Sequence, residues 1–193
     1  RTDDFPREEI QVEVLPPPHF VALNGAEVWI DGDGCLRSMR VRDREFLHFD
    51  PPHTRGGAFQ TFWGPTRLFH VRKEGPSIVY AENETGSIRY HFQPQAIRLE
   101  LNNNYPEQVV YRLPLDKDVA VSDESTTEEM RLASGSGVLM VRGAERLRHD
   151  EELGIQVIES NLEPGEAKEI TLEISTAITP STLKKEEQET STK

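Results

Sequence analysis

The chain has 193 residues and carries 34 acidic against 22 basic side chains, a formal charge of −12. That length supports one well-packed domain or two small ones, and the charge argues against a general nucleic-acid or anionic-membrane surface. The lone cysteine excludes an intrachain disulfide and a cysteine-based zinc cluster, and no apolar stretch reaches membrane-spanning length. The chain starts at Arg1 rather than Met, as a processed or excised chain would. A removed leader would suit secretion or a periplasmic location.

Apolar residues alternate at period two almost throughout, the pattern of strands with one buried face. IQVEVL (10–15) reads as the first, ended by Pro16, Pro17 and Pro18, which have no amide to donate. FVALNGAEVWI (20–30) follows, with a turn or bulge at Asn24-Gly25. In DGDG (31–34), Asp31 and Asp33 match the first half of a calcium loop, but Cys35, Leu36 and Arg42 stand where its sequence pattern requires other residue types. With Val28 and Ile30 before it and Leu36, Met39 and Val41 after it, Asp-Gly reads as a hairpin turn. CLRSMRVRDREFLHF (35–49) returns from that turn as a further strand and its exit. It carries the densest basic cluster, Arg37, Arg40, Arg42 and Arg44, interrupted by Asp43 and Glu45. That cluster suits a solvated face paired to acidic neighbours, or a seat for a sulfate or uronate.

DPPHTRGGAFQTFWGP (50–65) reads as a long loop or irregular edge. TRLFHVRK (66–73), SIVYAE (77–82), SIRYHFQP (87–94) and AIRLELNN (96–103) form a predicted meander, with Ile88, Tyr90 and Phe92 on one face. QVVYRLPL (108–115), GVLMVRG (137–143), LGIQVIES (153–160) and AKEITLEIS (167–175) complete the set. Ser125 and Glu128 have capping-box spacing and predict a helix of a turn or two near 125–132. The expectation is an all-β chain, an antiparallel β-sandwich of supersandwich type with about ten strands, forming one domain over 1–175. Residues 176–193 have no apolar period and read as a flexible C-terminal tail.

No P-loop, dinucleotide fingerprint, HExxH or nucleophile elbow occurs, so no cofactor and no metal are expected. HFDPPH (48–53) does offer two imidazoles and a carboxylate, but it reads as a polar loop. The candidate ligand-binding set is His53, Arg55, Phe59, Gln60, Phe62, Trp63, Arg67 and His70. Aromatic planes beside Arg and Gln suit a sugar, whose CH face stacks while its hydroxyls take polar edges. The competing reading makes Phe59, Phe62 and Trp63 a plug at the open end of the sandwich. Arg89, His91, Arg98 and Glu100 form a second polar row, facing away from the apolar layer of Leu99 and Leu101. Uncovered, that row is solvent decoration.

LNGAEVWI, the Asp-Gly turn, CLRSMRVRDREFLHFD and the aromatic stretch after it resemble the opening of the galactose-mutarotase-like β-supersandwich proteins and related sandwich domains of polysaccharide-active proteins. The likeness covers about residues 20–115. In the mutarotases it implies, paired histidines and a late glutamate act as acid and base on the sugar ring. The family's Asn-His segment is absent here, and His48, His53, His70 and His91 match none of its motifs. The leading functional expectation is therefore a noncatalytic or accessory carbohydrate-binding domain, with a glycan or a protein as partner. The alternatives are a mutarotase- or epimerase-like enzyme and a structural or protein-interaction domain of a larger assembly.

Overall fold

The computed structural model of the chain describes residues 18–50, 54, 56–61, 64–122, 125, 126 and 128–175. Seventeen strands and no helix occur among these residues. In chain order they begin with β1 (His19–Leu23), β2 (Ala26–Ile30), β3 (Leu36–Val41), β4 (Arg44–Glu45), β5 (Ala58–Thr61) and β6 (Gly64–Pro65). Next come β7 (His70–Lys73), β8 (Ile78–Glu82), β9 (Gly86–Gln93), β10 (Ala96–Asn103) and β11 (Val109–Pro114). The last six are β12 (Ala120–Val121), β13 (Glu129–Ser134), β14 (Gly137–Arg142), β15 (Arg146–Asp150), β16 (Ile155–Leu162) and β17 (Ala167–Ile174).

These strands pair into three sheets. One holds β1-β2-β3-β4; a second, of eight strands, runs β12-β13-β14-β17-β10-β9-β8-β7; a third, of five, runs β15-β16-β11-β5-β6. The last strand, β17, is thus inserted between β14 and β10, so the eight-stranded sheet closes only when the end of the chain arrives. Strand alternation sends Val28, Met39 and Val41 from the first sheet, Tyr90, Leu99 and Leu172 from the second, and Phe59, Tyr111 and Leu162 from the third into one shared core. Burying those side chains is the main force holding the layers together, at about 1.5–3 kcal/mol for each large aliphatic or aromatic group.

The structure is the all-β antiparallel sandwich expected, but the described residues alone form seventeen strands rather than about ten. Part of the difference lies in turns that divide segments counted as one strand each, the first of them at the turn or bulge expected at Asn24-Gly25. Asn24-Gly25 separates β1 from β2, with Gly25 at φ 85°. Arg42 and Asp43 both take positive φ, 49° and 64°, and split 35–49 into β3 and β4. The other part is short strands with little apolar signal, such as β6 and β15. The helix expected near 125–132 is replaced in the described part by β13. Its hydroxyls do bind backbone amides, but those of a strand entry: Arg131 N donates to Ser125 Oγ at 2.9 Å and Glu129 N to Thr126 Oγ1 at 3.1 Å. Met130, Leu132 and Ser134 then alternate into the interior.

DGDG is a turn. Gly34 N donates to Asp31 O and Asp31 N to Cys35 O, each at 2.9 Å. It is also a packing point, because Leu68 N donates to Asp33 O and the Tyr90 hydroxyl to Gly34 O, both at 2.8 Å. The expected strand 10–15 and the tail 176–193 lie outside the described residues.

Candidate functional site

The outer face of the five-stranded sheet is built by register. Tyr111 pairs with Ser160 and Phe59, and all three are buried. The next ladder row must therefore face outward, and it reads Arg146–Glu159–Arg112–Ala58 across β15, β16, β11 and β5. Glu159 is only 2% exposed although it points away from the core. A buried carboxylate needs partners, and the row supplies them. Arg146 reaches Glu159 Oε2 at 2.7 Å, Arg112 Nε lies 3.2 Å from Oε1, and Arg148 stands 3.9 Å away.

Arg112 also bonds Asp150 Oδ2 at 2.8 Å, so one guanidinium bridges two carboxylates. That bond is the first cause holding the Asp150 carboxyl below its ordinary value. On one side of Arg112 lies a narrow recess, with room for about one water-sized group, whose lining includes Thr54, Ala58, Gln60, Pro65 and Pro114. On the other lies an open depression of about 830 Å³ bordered by Arg148, His149, Asp150, Glu151 and Glu152. The floor is thus a fixed hydrogen-bonding guanidinium, with amide, hydroxyl and imidazole groups at the rims.

The sequence-expected residues divide across this picture. Gln60 lines the recess, half-buried. Phe59 is fully buried, edge-on to Tyr111 with ring centroids 5.9 Å apart, so its ring serves the core rather than a sugar face. Arg67 is exposed and contributes its backbone carbonyl to Asn83 Nδ2 at 2.7 Å. His70 is exposed on β7, in the other large sheet, where it pairs with Glu82. His53, Arg55, Phe62 and Trp63 lie outside the described residues, although Thr54 and Gly56, the neighbours of Arg55 in sequence, both line the recess. Sequence reading missed Arg112, Asp150 and Glu159. The available signal was Glu159 itself, a lone charge in the otherwise uncharged run IQVIESNL.

The row on the outer face of the eight-stranded sheet is present as expected. Arg72, Tyr80, Arg89, Glu100 and Glu169 are successive cross-strand partners over β7, β8, β9, β10 and β17. His91 Nε2 lies 3.0 Å from Glu100 Oε1, Arg98 is also at 3.0 Å, and Arg89 is 3.5 Å from Oε2. His91 is the first cause holding Glu100 below its ordinary value. Arg72 and Arg89 both stack on Tyr80, at 4.4 and 4.7 Å from its centroid, and both reach Glu74 at 3.1 Å. These charges satisfy one another.

The fold resembles that of galactose-mutarotase-like β-sandwiches. It is similar to an Escherichia coli K12 protein provisionally named an aldose 1-epimerase, with TM-score 0.51 and 8% identity over 82% of this chain and 98% of that one. It is similar also to the Slr1438 protein of Synechocystis sp. PCC 6803, with TM-score 0.52 and 9% identity over 86% and 99%. A polysaccharide lyase gives TM-score 0.44 and 10% identity over 83% of this chain and 32% of that one. At these identities the likeness is one of fold. No family model matches the sequence, and no curated protein does.

Proposed function

We propose that the chain is a noncatalytic carbohydrate-binding sandwich domain whose glycan lies against the outer face of the five-stranded sheet, across Arg112. The observation that carries this reading is the double tie of Arg112 to Glu159 and Asp150 between two depressions. A guanidinium held from both sides is pre-organised, and its charge is already met by carboxylates. Such a group suits neutral sugar hydroxyls, which need directional partners more than net charge. Gln60, Thr54 and His149 supply further donors and acceptors at the rims. Trp63 and Phe62, a few residues along the chain from Gln60, are the proposed stacking faces. The fold shared with the Escherichia coli protein named for aldose epimerisation supports a sugar as ligand.

The epimerase alternative needs a group that takes up a proton and another that gives one, with values near the working pH. His91–Glu100 is a histidine–carboxylate pair of the right length at 3.0 Å, but Glu100 also meets Arg89 and Arg98 and is held low. A polarimetric assay of aldose anomerisation is therefore expected to show no acceleration over buffer. A glycan array probed with the parent and with Arg112→Ala tests the binding reading. Selective loss of a neutral-glycan signal in a folded Arg112→Ala is the expected result. A parent that binds no glycan, or binding untouched by both Arg112→Ala and Gln60→Ala, would overturn it.

A further inference from the structure

The four-stranded sheet has an outer face of its own, and part of the basic cluster in CLRSMRVRDREFLHF opens onto it. Phe20 and Trp29 are directly opposite on β1 and β2, with ring centroids 4.9 Å apart and planes inclined by 56°. Alternation decides their exposure. Val28 and Ile30, on either side of Trp29, are fully buried, while Trp29 is 37% and Phe20 45% exposed. Ser38 is the partner of Trp29 on β3. Trp29, Arg37, Ser38 and Arg40 together line an open recess of about 580 Å³. An apolar platform therefore stands beside two guanidinium groups.

The state of those arginines separates this face from the one around Arg112. Arg37 touches Asp31 at 3.4 Å and lies over the Phe49 ring at 4.7 Å, with its side chain 48% exposed. Arg40 approaches Glu45 no closer than 3.8 Å, with its side chain 57% exposed. Glu45 is engaged elsewhere: its oxygens accept from Ser38 Oγ at 2.5 Å and from the amides of Met39, Phe46 and Leu47 at 3.0, 3.2 and 3.1 Å. A guanidinium has five N–H donors, so Arg37 and Arg40 keep most of theirs for an incoming group. Arg112, by contrast, is only 22% exposed and is committed to two carboxylates.

We propose that this face is a second saccharide site, specific for acidic sugars. The CH face of a uronate pyranose packs on Trp29 and Phe20, and its carboxylate meets Arg37 and Arg40 through charge-assisted hydrogen bonds. Ser38 is placed to meet a ring hydroxyl. The overall charge of −12 repels an anion at long range. Recognition must therefore come from these short contacts and weaken with salt.

The test titrates the full chain with oligouronates of the galacturonate, glucuronate and mannuronate series, and with neutral hexose oligomers of matching length. The two tryptophans give two indole N–H resonances, and that of Trp29 is assigned by its loss in Trp29→Phe. An acidic series is expected to shift the Trp29 signal saturably. Trp29→Ala should weaken that binding at least tenfold. The double variant Arg37→Gln/Arg40→Gln, on the solvent side of the sheet, should erase the preference for acid over neutral sugar. Arg112→Ala should leave this binding unchanged, which separates the two sites. The proposal is overturned if no acidic series gives a saturable shift, or if neutral oligomers shift the Trp29 signal equally well. It is also overturned if binding follows Arg112 rather than Trp29, or if a soluble paramagnetic probe fails to reach the Trp29 indole.

Discussion

Replacing Phe59 by alanine separates an aromatic that builds the fold from one that serves a ligand. Its side chain is fully buried and meets Tyr111 edge-on at 80° between ring planes. It also abuts Gly86, where an added Cβ would come within 3.1 Å of Phe59 Cε2. A buried phenylalanine removes about 150–250 Å² from water, which at about 25 cal/mol per Å² corresponds to about 4–6 kcal/mol as an upper bound. Alanine retains a part of that, and measured Phe→Ala losses in cores run at about 3–5 kcal/mol. With a urea slope of about 2 kcal/mol/M for a chain of this size, the unfolding midpoint of Phe59→Ala should fall by about 2 M. Equilibrium urea unfolding followed by far-ultraviolet circular dichroism reads this directly. A loss below about 1 kcal/mol, with glycan binding abolished, would refute the reasoning and return Phe59 to the ligand side.

Gly34→Ala should cost about 3 kcal/mol, because Gly34 sits at φ +76° and a Cβ would come within 2.7 Å of both Ala81 Cβ and Leu68 Cβ. Differential scanning calorimetry should show the melting temperature falling by about 6–12 °C, and an unchanged value would mean the turn is not packed as described. Glu159→Leu leaves Arg112 and Arg146 facing each other without their shared carboxylate. Breaking such a pair by removing one partner should cost about 3 kcal/mol in urea unfolding, and a neutral result would show the triad to be incidental. Arg112 lowers the Asp150 carboxyl from its ordinary 3.8, so their contribution is present above that value and is lost as pH falls through the lower folded value. Stability measured from pH 7 to 2 should hold to about pH 4 and then fall. The fall should be shallower in Arg112→Ala, and equal slopes would remove this pair from the acid response.

Period-two alternation in SIRYHFQP and AIRLELNN was enough to give β9 and β10 their strand character and their buried faces, since each side chain's face depends only on its neighbours along the strand. The Asp-Gly turn at 31–34 was likewise local, with glycine at positive φ and flanking strands to join. Where local signals competed, the tertiary structure chose. Ser125–Thr126 offered hydroxyls that cap a helix or a strand entry equally well, and the sheet edge beside β14 selected the strand. RLRHD (146–150) has one apolar residue, and that residue is among the exposed large hydrophobics, so only the backbone of β16 makes it a strand. The site depended on the same non-local pairing. Arg112, Arg146 and Glu159 are spread over three strands, 34 and then 13 positions apart along the chain, and only the antiparallel register of β11, β16 and β15 sets them in one row. Local periodicity fixes which face a side chain takes; which strands become neighbours is decided by how the whole chain closes its core.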